Sequence, residues 1–165
     1  MKFQVAREWA DFILKVLTSI AIAVGGVWSY FEFSLMETAA TNIQLTLATE
    51  VLDYGPNEKL LVIHVRPKNI GKTLATTPKK GFVVSVKSIP QNIPQGEVSL
   101  DKFRDFYSGD LMQRFADGYE LEPGVEYDEL VTLVVPTGSI FFVKAEFPLA
   151  DNDEVDQTAV VKITN

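Results

Sequence analysis

The chain has 165 residues, no cysteine, one histidine and a formal net charge of −7 at pH 7. Disulfide frameworks, thiolate metal sites and cysteine nucleophiles are thereby excluded, and His64 alone cannot assemble a multi-histidine metal site or an ordinary serine hydrolase triad with its nucleophile elbow. The residues after Phe31 carry twelve Lys and Arg against twenty Asp and Glu, a net of −8, so nothing basic is set aside for nucleic-acid phosphates or an anionic membrane surface.

The first element is apolar. Val16 to Phe31 contains no charge, and Trp9 to Phe33 gives 25 residues, enough for the ~20 that cross a bilayer. Trp9 and Phe12 mark one interface, and Trp28, Tyr30, Phe31 and Phe33 the other, the aromatic-belt arrangement of a spanning helix. Lys15 can snorkel to the near side. Lys2, Arg7 and Lys15 precede the span and no cation follows until Lys59. The positive-inside rule therefore predicts a cytoplasmic start and an outer domain on the far side. A cleaved signal peptide competes, because Val16 to Val27 has the length of its apolar region and Thr38-Ala39-Ala40 supplies small residues; the aromatics after the span disfavour it. Ala21, Gly25 and Ser29 recur every four residues as a small-residue stripe where another helix could pack.

Beyond the span the period changes from helical to two, the mark of strands with one buried face. Ile43, Leu45, Leu47 and Val51 share a side, then Leu61, Ile63 and Val65 after the turn at Tyr54-Gly55-Pro56-Asn57. Further strands are predicted over Gly81 to Ser88 (Phe82, Val84 and Val86 inward), Val125 to Val135, Ile140 to Phe147 (Phe141, Val143, Ala145 and Phe147 inward) and Thr158 to Thr164 (Ala159, Val161 and Ile163 inward). Six or seven short strands separated by turns, with no helix for parallel crossovers, predict an all-β antiparallel sandwich. Its bounds are 35–165, after a cytoplasmic tip and transmembrane helix over 1–34.

The segment 91–119 interrupts this pattern and is long for a sandwich connection. Ser99 is placed to cap a short helix in which Leu100, Phe103 and Tyr107 share a face beside Phe106. Tyr107, Phe103 and Arg104 are residue types of binding hot spots, so Leu100, Phe103, Arg104, Phe106 and Tyr107 are the expected partner-contacting set. The alternative is that these aromatics cap the open end of the sandwich.

LLVIHVRPKNIGK followed by YELEPGVEYDELVTLVVP resembles the strand and Asn-x-Gly turn, then Leu-x-Pro-Gly-x and strand, of bacterial immunoglobulin-like adhesion and accessory domains. The layout is also similar to small bacterial single-pass anchored proteins. The resemblance covers about two thirds of the outer domain and implies an immunoglobulin-like β-sandwich with a binding role and no catalytic residues.

Other candidates are weaker. Gly71-Lys72-Thr73 would need a glycine where Arg66 stands to form a phosphate loop, and Pro78 stops any helix after it. Asp151, Asp153 and Asp156 supply closely spaced oxygens of the kind calcium uses, without the glycine and distant glutamate of an EF-hand. Glu120, Glu122, Glu126, Asp128 and Glu129 are scattered by strand alternation and the Pro123-Gly124 turn and are expected on the surface. By alternation His64 faces away from Leu61, Ile63 and Val65. The expectation is therefore a non-enzyme without cofactor, in a bacterial inner membrane, with its outer domain periplasmic or extracellular. It would serve as an accessory or scaffold module for another envelope protein, with homo-oligomerisation left open. The alternative is an anchored domain that senses a ligand or metal ion.

Overall fold

A computed structural model describes residues 2–32, 42–115, 118–149 and 153–164, in two compact units, Met1–Ala40 and Thr41–Asn165. The first holds one helix, α1 (Lys2–Tyr30). Within it Trp9–Tyr30, 22 residues of mean hydropathy 1.8, is long and apolar enough to cross a membrane. Two hydroxyls inside this stretch are satisfied by the helix itself: Thr18 donates to the Leu14 carbonyl at 2.8 Å and Ser19 to that of Lys15 at 3.0 Å. Such back-bonding removes the cost of a free hydroxyl in an apolar medium. Lys15 Nζ pairs with Asp11 Oδ2 one turn earlier, at 2.8 Å. Ala21, Gly25 and Ser29 are all exposed, and a Cβ built at Gly25 would meet nothing within 4 Å.

The second unit is mostly β, and its strands pair antiparallel throughout. In chain order they are β1 (Ile43–Gly55), β2 (Glu58–Asn69), β3 (Ala75–Thr76), β4 (Val83–Ile89), β5 (Asp105–Asp110), β6 (Glu120–Leu121), β7 (Glu129–Pro136), β8 (Ile140–Pro148) and β9 (Glu154–Lys162). They form a three-stranded sheet β1-β2-β7, a four-stranded sheet β5-β4-β8-β9, and the small pair β3-β6. Strict alternation builds the core. Leu61, Ile63 and Val65 of β2 are fully buried, as are Val84 and Val86 of β4 and Val143, Ala145 and Phe147 of β8. All belong to one apolar cluster, together with Phe82, Phe141 and Ile163. Phe82 and Phe147 meet edge to face with centroids 4.9 Å apart, and truncating such a ring to Ala costs about 3–5 kcal/mol.

Four sequence expectations are corrected, the first being the strand expected from Val125, which begins at Glu129 as β7. β1 runs on to Gly55 and its far end leaves the core, so Val51 is exposed rather than inward. β9 begins at Glu154, four residues before the expected Thr158. The helix expected after Ser99 is a single 3₁₀ turn, Leu100–Lys102, with no side-chain cap, and the chain is extended again by Phe103. Tyr107 lies instead in β5, opposite Val86 of β4, with Phe106 as the extra residue of a bulge. The physical reason is that Ser108-Gly109-Asp110 favours a helix poorly, whereas β4 offers an open edge and Gly109 offers room. A Cβ at Gly109 would collide with the Tyr107 hydroxyl and lie 2.8 Å from its Cζ, so the ring lies over a glycine.

Asn69 joins the two halves of the motif pair read in the sequence. It is the one fully buried polar residue among the described residues. Its Nδ2 donates to the carbonyls of Thr73 and Leu121, each at 2.8 Å, and its Oδ1 accepts from Gly71 N at 2.9 Å. Its backbone N–H reaches the Val125 carbonyl at 3.1 Å, and its own carbonyl accepts from Gly124 at 2.7 Å. Gly124 turns with φ +79°, a conformation that favours glycine.

Candidate functional site

The expected contact residues in 91–119 are placed as follows. Leu100 and Phe103 are half-buried and Arg104 is exposed. Phe106 is 44% exposed, with its ring 5.0 Å from that of the buried Phe141. Tyr107 and Phe115 pack partly buried against the core, and Leu111 and Met112 belong to it. Leu111 and Met112 are therefore not available to an outward patch. The 3₁₀ turn Leu111–Arg114 is capped by Asp110, whose side chain accepts from Met112 N at 3.0 Å. Of the calcium candidates, Asp151 lies outside the described residues. Asp153 Oδ1 accepts from Glu154 N at 2.9 Å. Asp156 is exposed on β9, where Lys144 and Glu146 already form a 2.5 Å ion pair nearby. Among the described residues no three metal-ligating side chains converge.

What the fold does assemble is a cavity of about 230 Å³ lined by Phe115, Gly118, Tyr119, Glu120, Tyr127 and Glu129. Tyr119 is its floor. Edge-to-face contacts with Phe82 and Phe147, centroids 5.8 and 5.9 Å away, hold the ring from the core side. Toward the cavity it meets Phe115 at 4.8 Å and 73° and Tyr127 at 5.8 Å and 74°. Its hydroxyl donates to Glu129 Oε1 at 3.2 Å. Burial first, then the negative charge of Glu129, push the phenol's pKa upward, so Tyr119 stays a neutral donor. The sequence signal is YELEPGVEY, in which tyrosine and glutamate stand on both sides of a Pro-Gly reversal; strand alternation and that same turn lead to the expectation that Glu120 and Glu129 are scattered on the surface.

A second feature lies on the outward face of the three-stranded sheet. Register sets Leu52, Leu60 and Val134 in one row, Glu50, Val62 and Thr132 in the next, and Ala48, His64 and Leu130 in a third. Leu52, Leu130 and Val134 are 42%, 45% and 43% exposed. Solvent faces of antiparallel sheets are ordinarily polar, so this strip is anomalous. It ends at a polar group: Asp128 Oδ2 lies 2.9 Å from His64 Nδ1 and 3.0 Å from Arg66 Nη2. Partial burial would raise the Asp128 pKa, but hydrogen bonds from Arg66 and His64 outweigh it and hold it below the usual carboxylate value.

No family model matches the chain, and no curated protein matches it in sequence. Solved structures are similar in backbone. The X-ray structure of the structural-genomics target SoR45 aligns at TM-score 0.44 and 12% identity, covering 74% of this chain and 86% of that one. A Bordetella pertussis protein described as ApaA aligns at TM-score 0.45 and 10% identity, over 74% and 94% of the two chains. Spo0M, a sporulation control protein of Bacillus subtilis, aligns at TM-score 0.45 and 15% identity over 76% of this chain and 50% of that one. The chain thus has a distant structural likeness to these β-rich domains.

Proposed function

We propose that this protein is an anchored, non-catalytic module. In this reading α1 spans a bacterial inner membrane with its start in the cytoplasm, and the β unit is an immunoglobulin-like sandwich outside that docks another envelope protein. The strand orders β1-β2-β7 and β5-β4-β8-β9 support the sandwich reading, because they match A-B-E and C′-C-F-G of immunoglobulin-like domains. The asymmetry of Lys and Arg about the apolar stretch supports the orientation.

The observation that carries the docking role is the apolar strip Leu52, Leu60, Val62, Leu130 and Val134 on an otherwise solvated sheet face. Apolar strips rimmed by polar residues mark interaction surfaces. The occupant this reading commits to is another envelope protein that presents a complementary apolar ridge. The test replaces Leu130 and Val134 by Ser in the full-length protein. Both side chains are exposed, so the melting temperature should hold while a partner recovered with the parent is lost. Photo-crosslinkers at Leu130 should mark that partner, and those at Thr158, on the other sheet, should not. Retention of the partner by the double variant would overturn the assignment.

A further inference from the structure

The cavity beside Tyr119 carries an inference independent of the docking face. Three rings, Phe115, Tyr119 and Tyr127, stand around it, and the middle one is steeply inclined to both neighbours, at 73° and 74°. Rings so arranged give a floor, Tyr119, with Phe115 and Tyr127 inclined to it, rather than a stack. Two carboxylates share the space. Glu129 gives one oxygen to the Tyr119 hydroxyl, and among the described residues neither its second oxygen nor Glu120 has a hydrogen-bond or ion-pair partner. A carboxylate beside aromatic faces is poorly served, since the ring faces are themselves negative. A cation between them would be attracted by both. The nearest basic residue in sequence, Arg114, donates its Nη1 to the Leu130 carbonyl at 2.9 Å and forms no ion pair with Glu120 or Glu129 among the described residues.

We propose that the cavity lined by Phe115, Tyr119, Tyr127, Glu120 and Glu129 binds the methylated ammonium group of a small organic cation of about choline size. The cavity, at about 230 Å³, is below the ~300–1,000 Å³ that drug-sized ligands occupy, which suits a compact head group. A quaternary ammonium has no N–H to satisfy, so aromatic walls and diffuse negative charge are sufficient for it. A primary ammonium, with three N–H donors, would in addition have to find an acceptor for each of them. The protonated phenol of Tyr119 anchors Glu129 at the rim, which leaves Oε2 of that carboxylate for the ligand. The net negative charge of the outer residues raises the local cation concentration as well.

The experiment is a calorimetric titration of the full-length protein, in a maltoside detergent, with choline and with 3,3-dimethylbutan-1-ol, its uncharged isostere. Saturable choline binding is expected, with the neutral isostere at least about tenfold weaker, the size of a desolvated cation–π and charge contribution. Tyr127→Leu and Glu129→Gln should each weaken choline by about tenfold, whereas Tyr127→Phe should keep most of the affinity because it keeps the ring. Melting curves of each variant check the fold. Glu120→Gln, at an exposed position, replaces Glu129→Gln should that variant unfold. The Leu130→Ser, Val134→Ser variant should bind choline as the parent does, which separates this site from the docking face. Absence of saturable binding, equal affinity for the uncharged isostere, or an unchanged affinity in Tyr127→Leu would overturn the proposal.

Discussion

Replacing Asn69 by Ala should destabilise the β unit more than its size suggests. The side chain is fully buried and makes three hydrogen bonds, to the carbonyls of Thr73 and Leu121 and from Gly71 N. Truncation takes a side-chain partner from each of three backbone groups. The bond to Leu121 is buried and the other two are partly so; each buried orphan costs about 1–3 kcal/mol, and those that water can reach cost less. The expected loss is about 2–4 kcal/mol, a Tm lowered by about 10 °C for a unit of this size. Thermal unfolding of the full chain, followed by near-ultraviolet circular dichroism, measures it. Asn69→Asp sharpens the test, because it keeps the acceptor for Gly71 N but sets a carboxylate oxygen against two carbonyls. Burial would raise that carboxyl's pKa above its unfolded value, so the variant should be worst near pH 7. It should recover partly toward pH ~4, where the protonated acid can donate one bond. An Asn69→Ala loss below about 1 kcal/mol would show that the turn 69–73 and the loop 121–125 hold each other without this side chain, and the reasoning would fail.

Gly109→Ala should destabilise by about 1–3 kcal/mol through overpacking against the Tyr107 ring. The same change in a Tyr107→Ala background should cost much less, and additive losses would refute the contact. Asp128 has a folded-state pKa below its unfolded value, so its contribution is present above pH ~4 and lost as pH falls through the folded pKa. Parent and Asp128→Asn should therefore differ in stability at pH 7, and the gap should close as pH falls through the folded-state pKa; a gap that does not narrow in acid would point to a purely steric effect. For topology, protease added to intact spheroplasts should remove a tag fused after Asn165, and its protection would reverse the orientation.

The strands of the core were legible because their alternation is local. Leu61, Ile63 and Val65, or Phe141, Val143, Ala145 and Phe147, must share a side whatever they pack against, and all are buried. The apolar stretch Trp9–Tyr30 was equally legible, since length and hydropathy are properties of the sequence itself. The segment after Ser99 was not. Apolar residues at helical spacing give the same pattern as a bulged strand, and the decision fell to the open edge of β4, set by distant residues, together with the space that Gly109 leaves for the Tyr107 ring. The outward strip is not legible in sequence for a related reason: Leu60 and Val134 lie far apart in the chain, and only the register of β1, β2 and β7 puts Leu52, Leu60 and Val134 in one row. Alternation says which face a residue takes but not which strands lie side by side. The Tyr119 cavity likewise exists because the Pro123-Gly124 reversal returns Tyr127 and Glu129 to Tyr119, with Asn69 fixing the loop between them. Sequence determined the faces; pairing between remote strands, which depends on the packing of the whole core, decided what those faces bring together.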